Sequence, residues 1–362
     1  MKLRNFVIPA AIVFVLFTFS PVNGVFGAPK VIDLKFANYF PPPSAQSKAC
    51  EEFNHELEKR TGGRVKISYF PGGSLLKAPA VAKGLETGIA DIGFSHIEYT
   101  PGRFPATEVA ELPLGYPTAW VANQIMNDFV NEFKFKEWDK FQILWMHGNG
   151  PSQLITKKPV RTLDDLKGLT IRAPGLMADV ISALGGTPAP TPVMETYDAI
   201  AKGVLDGAFT GGESVKNFRF GEVAKYVLDT WHVGPVYPFY VAMNKAKYNS
   251  LPPDIRSILD HLSGEYRERM ALVWNAEDFA GQDFGKSVGV TYSDLTRGQF
   301  EKWQQAVQPV IEKYVKNMVS AGYAETEVRG WIKWLRERTA FLTEKQKALR
   351  IKSATGPAEL KP

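Results

Sequence analysis

Residues 88–95 read GIADIGFS and residues 203–210 read GVLDGAFT, so one pattern occurs twice at an offset of 115 residues. In each copy a helical segment ends at a glycine, which is followed by an aspartate, a short strand, an aromatic residue and a hydroxyl residue. In open α/β sheets, ligands bind beyond the carboxyl ends of the strands. We therefore expect Ser95 and Thr210 to face each other across a groove between two related units. Chance similarity between two glycine-capped turns is the alternative.

Strands and helices alternate around the first copy of this pattern. Residues 31–37 alternate apolar and polar side chains as a strand does, a helix is predicted over 45–60, and residues 65–69 alternate again. The same order continues to a strand at 141–147. Such alternation is typical of a largely parallel sheet, so the first unit is predicted to be an α/β domain.

The pattern restarts after a glycine-rich junction at residues 147–151. Beyond the junction, strands and short helices lead to the second copy, and two β-rich stretches, 226–232 and 236–243, then follow without an intervening helix. The second stretch suits a strand that passes back to the first unit. We predict a two-lobed α/β fold in which both lobes are discontinuous and hinge strands join them.

Long helices are predicted towards the end of the chain. The region 254–284, with glycines at 264 and 281, would form a helix roughly 45 Å long at 1.5 Å per residue, which is long enough to brace both lobes. Two further amphipathic helices are predicted at 296–321 and 325–341. The predicted boundaries are residues 29–149 plus 238–277 for lobe I, residues 150–237 plus 278–344 for lobe II, and residues 345–362 for a flexible polar tail.

The N-terminus has the layout of a secretory signal peptide, which we assign to residues 1–28. Lys2 and Arg4 precede an apolar run of fourteen residues, and small residues follow. The run is shorter than the ~20 apolar residues of a membrane span, so we expect cleavage near Gly24 or Ala28 and export to the periplasm. A retained membrane anchor is the alternative.

Composition argues against several other classes of protein. The formal net charge of +5 falls to +3 without Lys2 and Arg4, and no basic run is dense enough to indicate binding of nucleic acid. The single cysteine, Cys50, can form no intramolecular disulfide, so stability must come from buried area. We expect a monomer whose partners are neutral or locally anionic small molecules.

The sequence contains none of the motifs of common enzyme classes that we searched for. It lacks the Gly-x-Ser-x-Gly elbow, the His-Glu-x-x-His metal motif, the phosphate loop and the dinucleotide fingerprint. The five histidines are far apart, so we predict no catalytic residue, no metal ligand and no cofactor. A periplasmic lyase or hydrolase that uses His147 and Glu213 is the enzymatic alternative.

Five segments form an ordered series: EKRTGGRV at 58–65, YFPGG at 69–73, GIADIG at 88–93, DLKGLTIR at 165–172 and KGVLDG at 202–207. Together they resemble the solute receptors of tripartite ATP-independent periplasmic (TRAP) transporters, of the dicarboxylate-receptor (DctP) type. The resemblance covers nearly the whole chain after the signal peptide. It implies a two-lobed periplasmic binding protein with a long bracing helix, and a sodium-driven membrane permease as partner. The receptor of an ATP-driven importer is the alternative; it also closes two lobes on a ligand, but it lacks this series of motifs.

Arg172 falls on the arginine that holds the ligand carboxylate in this family. It ends a predicted strand whose residues Leu169 and Ile171 are apolar, and strand parity points its side chain away from them. A planar guanidinium can hold both oxygens of a carboxylate, which lysine cannot do. A solvated arginine at the strand end is the alternative.

The chain departs from the family pattern at two places. Many members carry a second arginine near the ligand, where this chain has GNGPSQ at 148–153, so we expect a monocarboxylate with an aromatic or hydroxylated remainder instead of a dicarboxylate. The family often has Gln-Glu-Asn-Pro after the second Asp-Gly, where this chain has AFTGGE at 208–213. Gly212 would leave space there, and Glu213 could accept a hydrogen bond from a ligand hydroxyl or amine.

The other candidates lie near predicted strand ends, where ligand contact and a place in the core are both plausible roles for aromatic residues. His147 closes a strand at the junction and could donate to the ligand, although a hydrogen-bonded structural histidine is the alternative. We expect the lobes to close on the ligand and the permease to recognise the closed form. The candidate ligand-binding residues are Arg172, Thr210, Glu213, Ser95, Phe209, His147, Tyr39, Tyr99, Gly212, Tyr237 and Phe239.

Overall fold

The computed structural model describes residues 31–362, which form two β-sheets surrounded by helices, so the predicted α/β class is confirmed. The predicted signal peptide lies outside the described residues. The strands are β1 (Ile32–Asn38), β2 (Val65–Phe70), β3 (Ile92–His96), β4 (Phe141–Gly148), β5 (Gln153–Thr156), β6 (Thr170–Arg172), β7 (Thr187–Ala189), β8 (Gly207–Thr210), β9 (Tyr226–Asp229), β10 (Pro238–Asn244) and β11 (Thr291–Asp294).

The helices cover both sheets and dominate the C-terminal third of the chain. They are α1 (Ala45–Arg60), α2 (Val81–Glu86), α3 (Ala119–Phe133), α4 (Leu176–Ala183), α5 (Val193–Ala201), α6 (Ser214–Asn217), α7 (Phe220–Val223), α8 (Lys245–Asn249), α9 (Pro253–Ser287), α10 (Arg297–Ser320) and α11 (Glu325–Ala348).

The first sheet has the strand order β2-β1-β3-β10-β4, and the second has the order β11-β9-β5-β8-β6-β7. β1 pairs in parallel with β2 and β3, whereas β10 lies antiparallel between β3 and β4. Because β10 is antiparallel to both of its neighbours, β1, β2, β3 and β4 all run in the same direction, as the largely parallel prediction expects. Only β10, which returns from the second sheet as the sequence predicts for this stretch, runs the other way.

The two copies of the repeated pattern adopt the same local structure. Each helix ends at a glycine with positive φ, +74° at Gly88 and +76° at Gly203, a conformation that glycine adopts without steric cost. The aspartate that follows then accepts a hydrogen bond from the backbone N–H of a neighbouring strand. Asp91 accepts from Lys35 N and Asp206 from Thr170 N, each at 2.8 Å. The correspondence is therefore structural, and both following strands, β3 and β8, lie inside their sheets.

Helix α9 is the long helix that the sequence predicts over 254–284. Its 35 residues span about 52 Å at 1.5 Å per residue, and neither Gly264 nor Gly281 interrupts it. It packs against α1, α3 and β4 on the side of the first sheet, and against α6 and α7 on the side of the second. One rigid element therefore contacts both halves of the molecule.

The C-terminal residues pack against the body of the protein, so the prediction of a flexible tail over 345–362 is wrong. Ser353, Thr355 and Leu360 are buried, and the Thr355 hydroxyl donates to Pro117 O at 3.2 Å. Lys361 reaches Asp294 at 3.2 Å. The segment is polar, as the sequence indicates, but its polar groups are satisfied by distant residues instead of by water.

None of the helices within residues 31–362 has the length and apolar character that crossing a bilayer requires.

Candidate functional site

A cavity of about 250 Å³ lies where the two sheets meet. Its walls come from both halves of the molecule, and most of its polar groups lie at or just beyond strand ends. A wider groove of about 890 Å³ adjoins it and shares Val193 and Phe218 with it. The lining residues of the cavity are Tyr39, Phe40, His96, Asn149, Arg172, Val193, Thr210, Glu213, Ser214, Phe218, Tyr237 and Phe239.

Strand ends bring these side chains together. Arg172 is the last residue of β6, Thr210 the last of β8 and His96 the last of β3, while Asn149 directly follows β4. The ends of parallel strands leave loops and unpaired groups at one edge of a sheet, which is where α/β proteins bind ligands. The two sheets present such edges to each other across the cavity.

Arg172 is fixed in the cavity wall by two of its nitrogen atoms. Nε donates to Thr191 O at 3.0 Å, and Nη1 donates to the hydroxyl of Tyr237 at 3.0 Å. The Tyr237 hydroxyl in turn donates to Phe209 O at 2.7 Å, so the guanidinium is held through a short chain to β8. The third nitrogen, Nη2, is buried and has no hydrogen-bond partner among the described residues.

The charge of Arg172 is buried, with its side chain almost wholly inaccessible. Burial by itself opposes the charged form, but Tyr237, Tyr99 and Glu98 outweigh it and raise the pKa of Arg172 above its ordinary value. Burial also raises the pKa of Glu98 well above its usual range, although Arg172 opposes that shift. Among the described residues, no carboxylate forms a hydrogen bond or salt bridge with the guanidinium of Arg172, which bonds Thr191 O and the Tyr237 hydroxyl.

Glu213 contributes an acidic side chain to the wall of the same cavity. Its Oε1 accepts from the Ser214 hydroxyl at 3.0 Å, and that hydroxyl lies 3.4 Å from the hydroxyl of Thr210. Its Oε2 is buried without a partner among the described residues. Burial raises the pKa of Glu213 to about 7.

Two further acids from α9 stand behind Glu213. Burial, and then the charge of Glu213, raise the pKa of Asp278 well above its usual range. Glu277 is buried as well, and its Oε1 accepts from Lys216 at 3.3 Å. This side of the cavity therefore disfavours anions.

The structure brings six of the predicted ligand-binding residues to the cavity: Arg172, Thr210, Glu213, Tyr39, Tyr237 and Phe239. The other five predicted residues do not line it.

Ser95 does not face Thr210, so this expectation is wrong. The Ser95 hydroxyl donates to Ala78 O at 3.1 Å, away from the cavity, and the next residue, His96, lines the cavity instead. Successive residues of a strand point to opposite faces, so a shift of one residue changes which side chain reaches the groove.

Phe209 and Tyr99 lie behind the cavity and support its wall. Phe209 contributes its carbonyl oxygen, which accepts from Tyr237. The Tyr99 hydroxyl accepts from Val193 N at 3.2 Å, and the Tyr99 ring lies 3.9 Å from the ring of His96. Tyr99 also borders a separate depression of about 710 Å³ that shares Tyr39 with the cavity.

His147 is a structural residue, which is the alternative that the sequence leaves open. Its Nδ1 accepts from Trp274 Nε1 at 2.8 Å, and its ring stacks on Phe239 with centroids 5.3 Å apart. Burial lowers the pKa of His147 well below its usual range. The imidazole is therefore neutral and is separated from the cavity by the ring of Phe239.

The space expected at Gly212 is occupied. A Cβ there would lie 3.0 Å from Gln153 Oε1, and a Cβ on Gly211 would clash with Glu213 Oε2. These glycines admit neighbouring protein side chains, so Gly212 opens no space for a ligand.

Six of the lining residues were not among the candidates, namely Phe40, His96, Asn149, Val193, Ser214 and Phe218. The glycine-rich junction at 147–151 is a signal that points to Asn149, and the adjacent acid points to Ser214. Val193 reaches the cavity through the packing of α5, and Phe218 through the packing of the segment that joins α6 to α7. No local sequence pattern indicates that either side chain lines the cavity.

Comparisons with known proteins agree with this geometry. Residues 36–317 match the DctP family, described as bacterial extracellular solute-binding protein, family 7. The chain is 27% identical over 276 residues to the 2,3-diketo-L-gulonate-binding periplasmic protein YiaO of Escherichia coli, covering 74% of this chain and 83% of that protein.

Solved structures with the same architecture include two that exceed 25% identity. A TRAP periplasmic solute-binding protein from Desulfovibrio salexigens is 33% identical, with a TM-score of 0.74 and coverage of 84% of this chain and 95% of that chain. A TRAP solute-binding protein from Rhodoferax ferrireducens, in complex with copurified benzoate, is 26% identical, with a TM-score of 0.80 and coverage of 86% and 100%.

Proposed function

The chain belongs to the DctP family of bacterial extracellular solute-binding proteins, the receptors of TRAP transporters, and from this premise we propose that it binds a small organic monocarboxylate in the cavity between its sheets. The bound acid is then delivered to the membrane subunits of a TRAP permease. The protein works as a periplasmic monomer after its signal peptide has been removed.

The observation that carries this proposal is the state of Arg172. Its guanidinium is buried and charged, and its Nη2 has no partner among residues 31–362. A buried cation without a paired anion is costly, and a ligand carboxylate would relieve that cost through charge-assisted hydrogen bonds. The two bonds to Thr191 and Tyr237 fix the guanidinium beforehand, so little side-chain freedom is lost on binding.

A monocarboxylate fits the charges of the cavity better than a dicarboxylate does. Arg172 is the only lysine or arginine among the lining residues, and Glu213 lies on the other pole. A second carboxylate would lack a basic partner and would approach Glu213 and Asp278, both of them buried acids.

An aromatic or hydroxylated remainder suits the rest of the wall. Phe40, Phe218 and Phe239 supply apolar ring surface, and Tyr39 adds a fourth ring. The relative from Rhodoferax ferrireducens was obtained with benzoate, an aromatic monocarboxylate, which supports this choice.

Transport of the bound acid requires the molecule to open and close. We propose that lobe I (29–149 and 238–277) and lobe II (150–237 and 278–344) move about their connecting strands, and that the permease recognises the closed form. A lyase or hydrolase that pairs His147 with Glu213 finds no support, because Phe239 and Trp274 hold His147 behind the wall.

The test compares ligand-induced thermal stabilisation of the wild type with that of Arg172→Ala and Arg172→Lys. A ligand at 100 times its Kd stabilises the native state by about 2.7 kcal/mol, so binding raises the melting temperature measurably. We expect stabilisation by monocarboxylates in the wild type, none in R172A, and affinity at least about tenfold weaker in R172K, which keeps the charge but loses the planar fork.

Circular dichroism of both variants checks that they fold, and mass spectrometry checks that the acid is recovered unchanged after incubation. If a monocarboxylate stabilised R172A as much as it stabilises the wild type, the proposal would be contradicted. So would a screen in which only C4 dicarboxylates stabilise the protein.

A further inference from the structure

The cavity has a second polar pole, distinct from the guanidinium, which consists of Glu213, Ser214 and Thr210. All three side chains line the cavity, and their oxygen atoms form a chain, with 3.0 Å between Ser214 Oγ and Glu213 Oε1 and 3.4 Å between Ser214 Oγ and Thr210 Oγ1. We call this group the acid pole. It belongs to the second sheet, as Arg172 does, but to β8 and the loop that leads into α6.

One acceptor of the acid pole is unused. Glu213 is 2% exposed, and its Oε2 has no hydrogen-bond partner among the described residues. A buried carboxyl oxygen without a donor is destabilising, so a ligand group that donates to it would gain affinity. Because Glu213 lines the cavity, a ligand bound there would supply such a donor.

The loop that carries Glu213 cannot easily turn the carboxyl away from the cavity. Gly281 of α9 lies directly against the loop, so close that a Cβ on Gly281 would clash with Gly212 O. Behind Glu213, Asp278 and Glu277 of α9 each keep one buried oxygen without a partner, Oδ1 and Oε2 respectively. The carboxyl is therefore held between the long helix and the cavity.

These surroundings select the kind of ligand group that fits. A second carboxylate would find no basic group among the lining residues and would compete with Glu213 and Asp278 for protons, which disfavours it. Burial raises the pKa of Glu213 to about 7, so the carboxyl is substantially protonated near neutral pH and can both accept and donate. A neutral hydroxyl group can likewise accept and donate a hydrogen bond, and it brings no further charge into the buried site.

We propose that Glu213, assisted by Ser214 and Thr210, hydrogen-bonds a hydroxyl group at the end of the ligand remote from its carboxylate, and so makes the protein specific for hydroxylated monocarboxylates. This inference rests on the proposed function, because it takes the carboxylate to be held by Arg172. Arg172 attracts the carboxylate that every monocarboxylate carries. The acid pole distinguishes hydroxylated monocarboxylates from the others.

The experiment measures Kd by isothermal titration calorimetry for matched pairs of acids. Benzoate is compared with its three hydroxylated isomers and with the three benzenedicarboxylates, and pentanoate with 5-hydroxypentanoate. In the wild type we expect at least one hydroxy acid to bind about tenfold or more tightly than its parent, and the dicarboxylates to bind more weakly than benzoate, as a buried hydrogen bond to a carboxyl implies.

Two substitutions at Glu213 locate the source of this preference. Glu213→Met keeps the length of the side chain but removes its oxygen atoms, and it should reduce the preference for the hydroxy acid over its parent to less than about threefold. Glu213→Gln keeps an acceptor and a donor and should retain the preference. Glu301→Met, on the exposed side of α10, is the matched control and should behave as the wild type.

The wild-type ratios decide the matter even if Glu213→Met fails to fold. Hydroxy acids that bind no more tightly than their parents would overturn the role of the acid pole and leave the proposed function standing. A preference for the hydroxy acid that persists in Glu213→Met would overturn it too. Failure of every carboxylate to bind would overturn the proposed function as well.

Discussion

At the scale of single residues, the cavity depends on one arginine whose donors are divided between the protein and the ligand. Nε and Nη1 bond Thr191 O and the Tyr237 hydroxyl, whereas Nη2 is left without a partner among the described residues. An arginine that is already fixed by two hydrogen bonds loses less rotamer entropy when an anion binds. Tyr237 is thus a positioning residue, since its hydroxyl links the guanidinium to the backbone of β8.

Glu213 should make the stability of the ligand-free protein depend on pH. Burial raises its pKa in the folded protein to about 7, compared with 4.5 for an unperturbed glutamate. Between these two values the folded state holds a proton that the unfolded chain has released, so stability falls as pH rises from about 4.5 to about 7 and then levels off. Glu213→Gln has no proton to lose, and its stability relative to the wild type should increase over this window by up to about 3 kcal/mol.

Urea denaturation of both proteins from pH 4.5 to 8.5 measures this difference. Glu301→Gln, on the exposed side of α10, is the control and should differ from the wild type by a constant amount. The same comparison in an Asp278→Asn background removes the contribution of Asp278, whose pKa the charge of Glu213 raises. A difference for Glu213→Gln that is flat, or that shrinks with rising pH, would contradict the assigned shift.

Chemistry that depends on one residue type could be predicted from the sequence, and chemistry that depends on orientation could not. Arg172 stands out because it falls on the family's carboxylate-binding arginine, and Glu213 because it lies where the chain departs from the family pattern Gln-Glu-Asn-Pro. The choice between Ser95 and His96 requires the pleat of β3, and β3 is buried on both faces, so no alternation of apolar and polar residues reveals it. His147 fails as a ligand contact because Trp274, far along the chain, bonds its Nδ1.

At the scale of elements, two glycines of α9 should respond in opposite ways to the same substitution. Gly264 faces open space, so Gly264→Ala should stabilise the protein by about 1 kcal/mol through helix propensity. Gly281 touches the loop that carries Glu213, and a methyl group there would clash with Gly212 O. Gly281→Ala should therefore destabilise the protein by about 1–3 kcal/mol, as overpacking does, and weaken ligand binding because the acid pole shifts.

Thermal denaturation and calorimetric Kd values of the two variants provide the measurement, and each variant is the control for the other. Both gain the same intrinsic helix propensity, so any difference between them reports the contact with the loop. Equal stabilities and equal affinities would show that α9 and the 211–213 loop are not coupled.

The elements that the sequence predicts well are those with a strong apolar period. The long helix predicted over 254–284 is found at Pro253–Ser287. Two edge strands escaped prediction: β11 is short and largely exposed, and β7 contains Pro188, a residue that disfavours strands. The antiparallel entry of β10 also escaped prediction, since its direction is decided by partners in β3 and β4 and not by its own sequence.

At the scale of the whole molecule, the cavity, helix α9 and the C-terminal segment each connect the two halves of the protein. The cavity takes its lining from both sheets, α9 packs against both, and the C-terminal segment also reaches both. That segment contacts Pro117 beside α3 through Thr355, and Asp229 and Asp294 of the second sheet through Lys361. Any movement of one half against the other must therefore preserve or break these contacts.

The C-terminal segment was predicted to be flexible because polarity alone gives no sign of a distant partner. Gln346 shows why this fails: it is completely buried, accepts from the Thr118 hydroxyl at 2.7 Å and donates to the Ser353 hydroxyl at 2.8 Å. Asn275 of α9 donates to Lys352 O at 2.7 Å. Buried polar groups of this kind lose their partners when the segment is absent, and each orphaned group costs about 1–3 kcal/mol.

Deletion of residues 350–362 should therefore destabilise the protein far more than loss of a single surface contact. The deletion exposes Gln346 and Asn275 and removes buried Ser353, Thr355 and Leu360, so we expect a loss of several kcal/mol in urea denaturation. Lys361→Ala removes only the pairs with Asp229 and Asp294 and should cost less than the deletion, because Asp294 is exposed and the buried Asp229, with a pKa of about 6, takes up a proton readily. If the deletion costs no more than Lys361→Ala, the hydrogen bonds of Gln346 and Asn275 do not hold the segment in place.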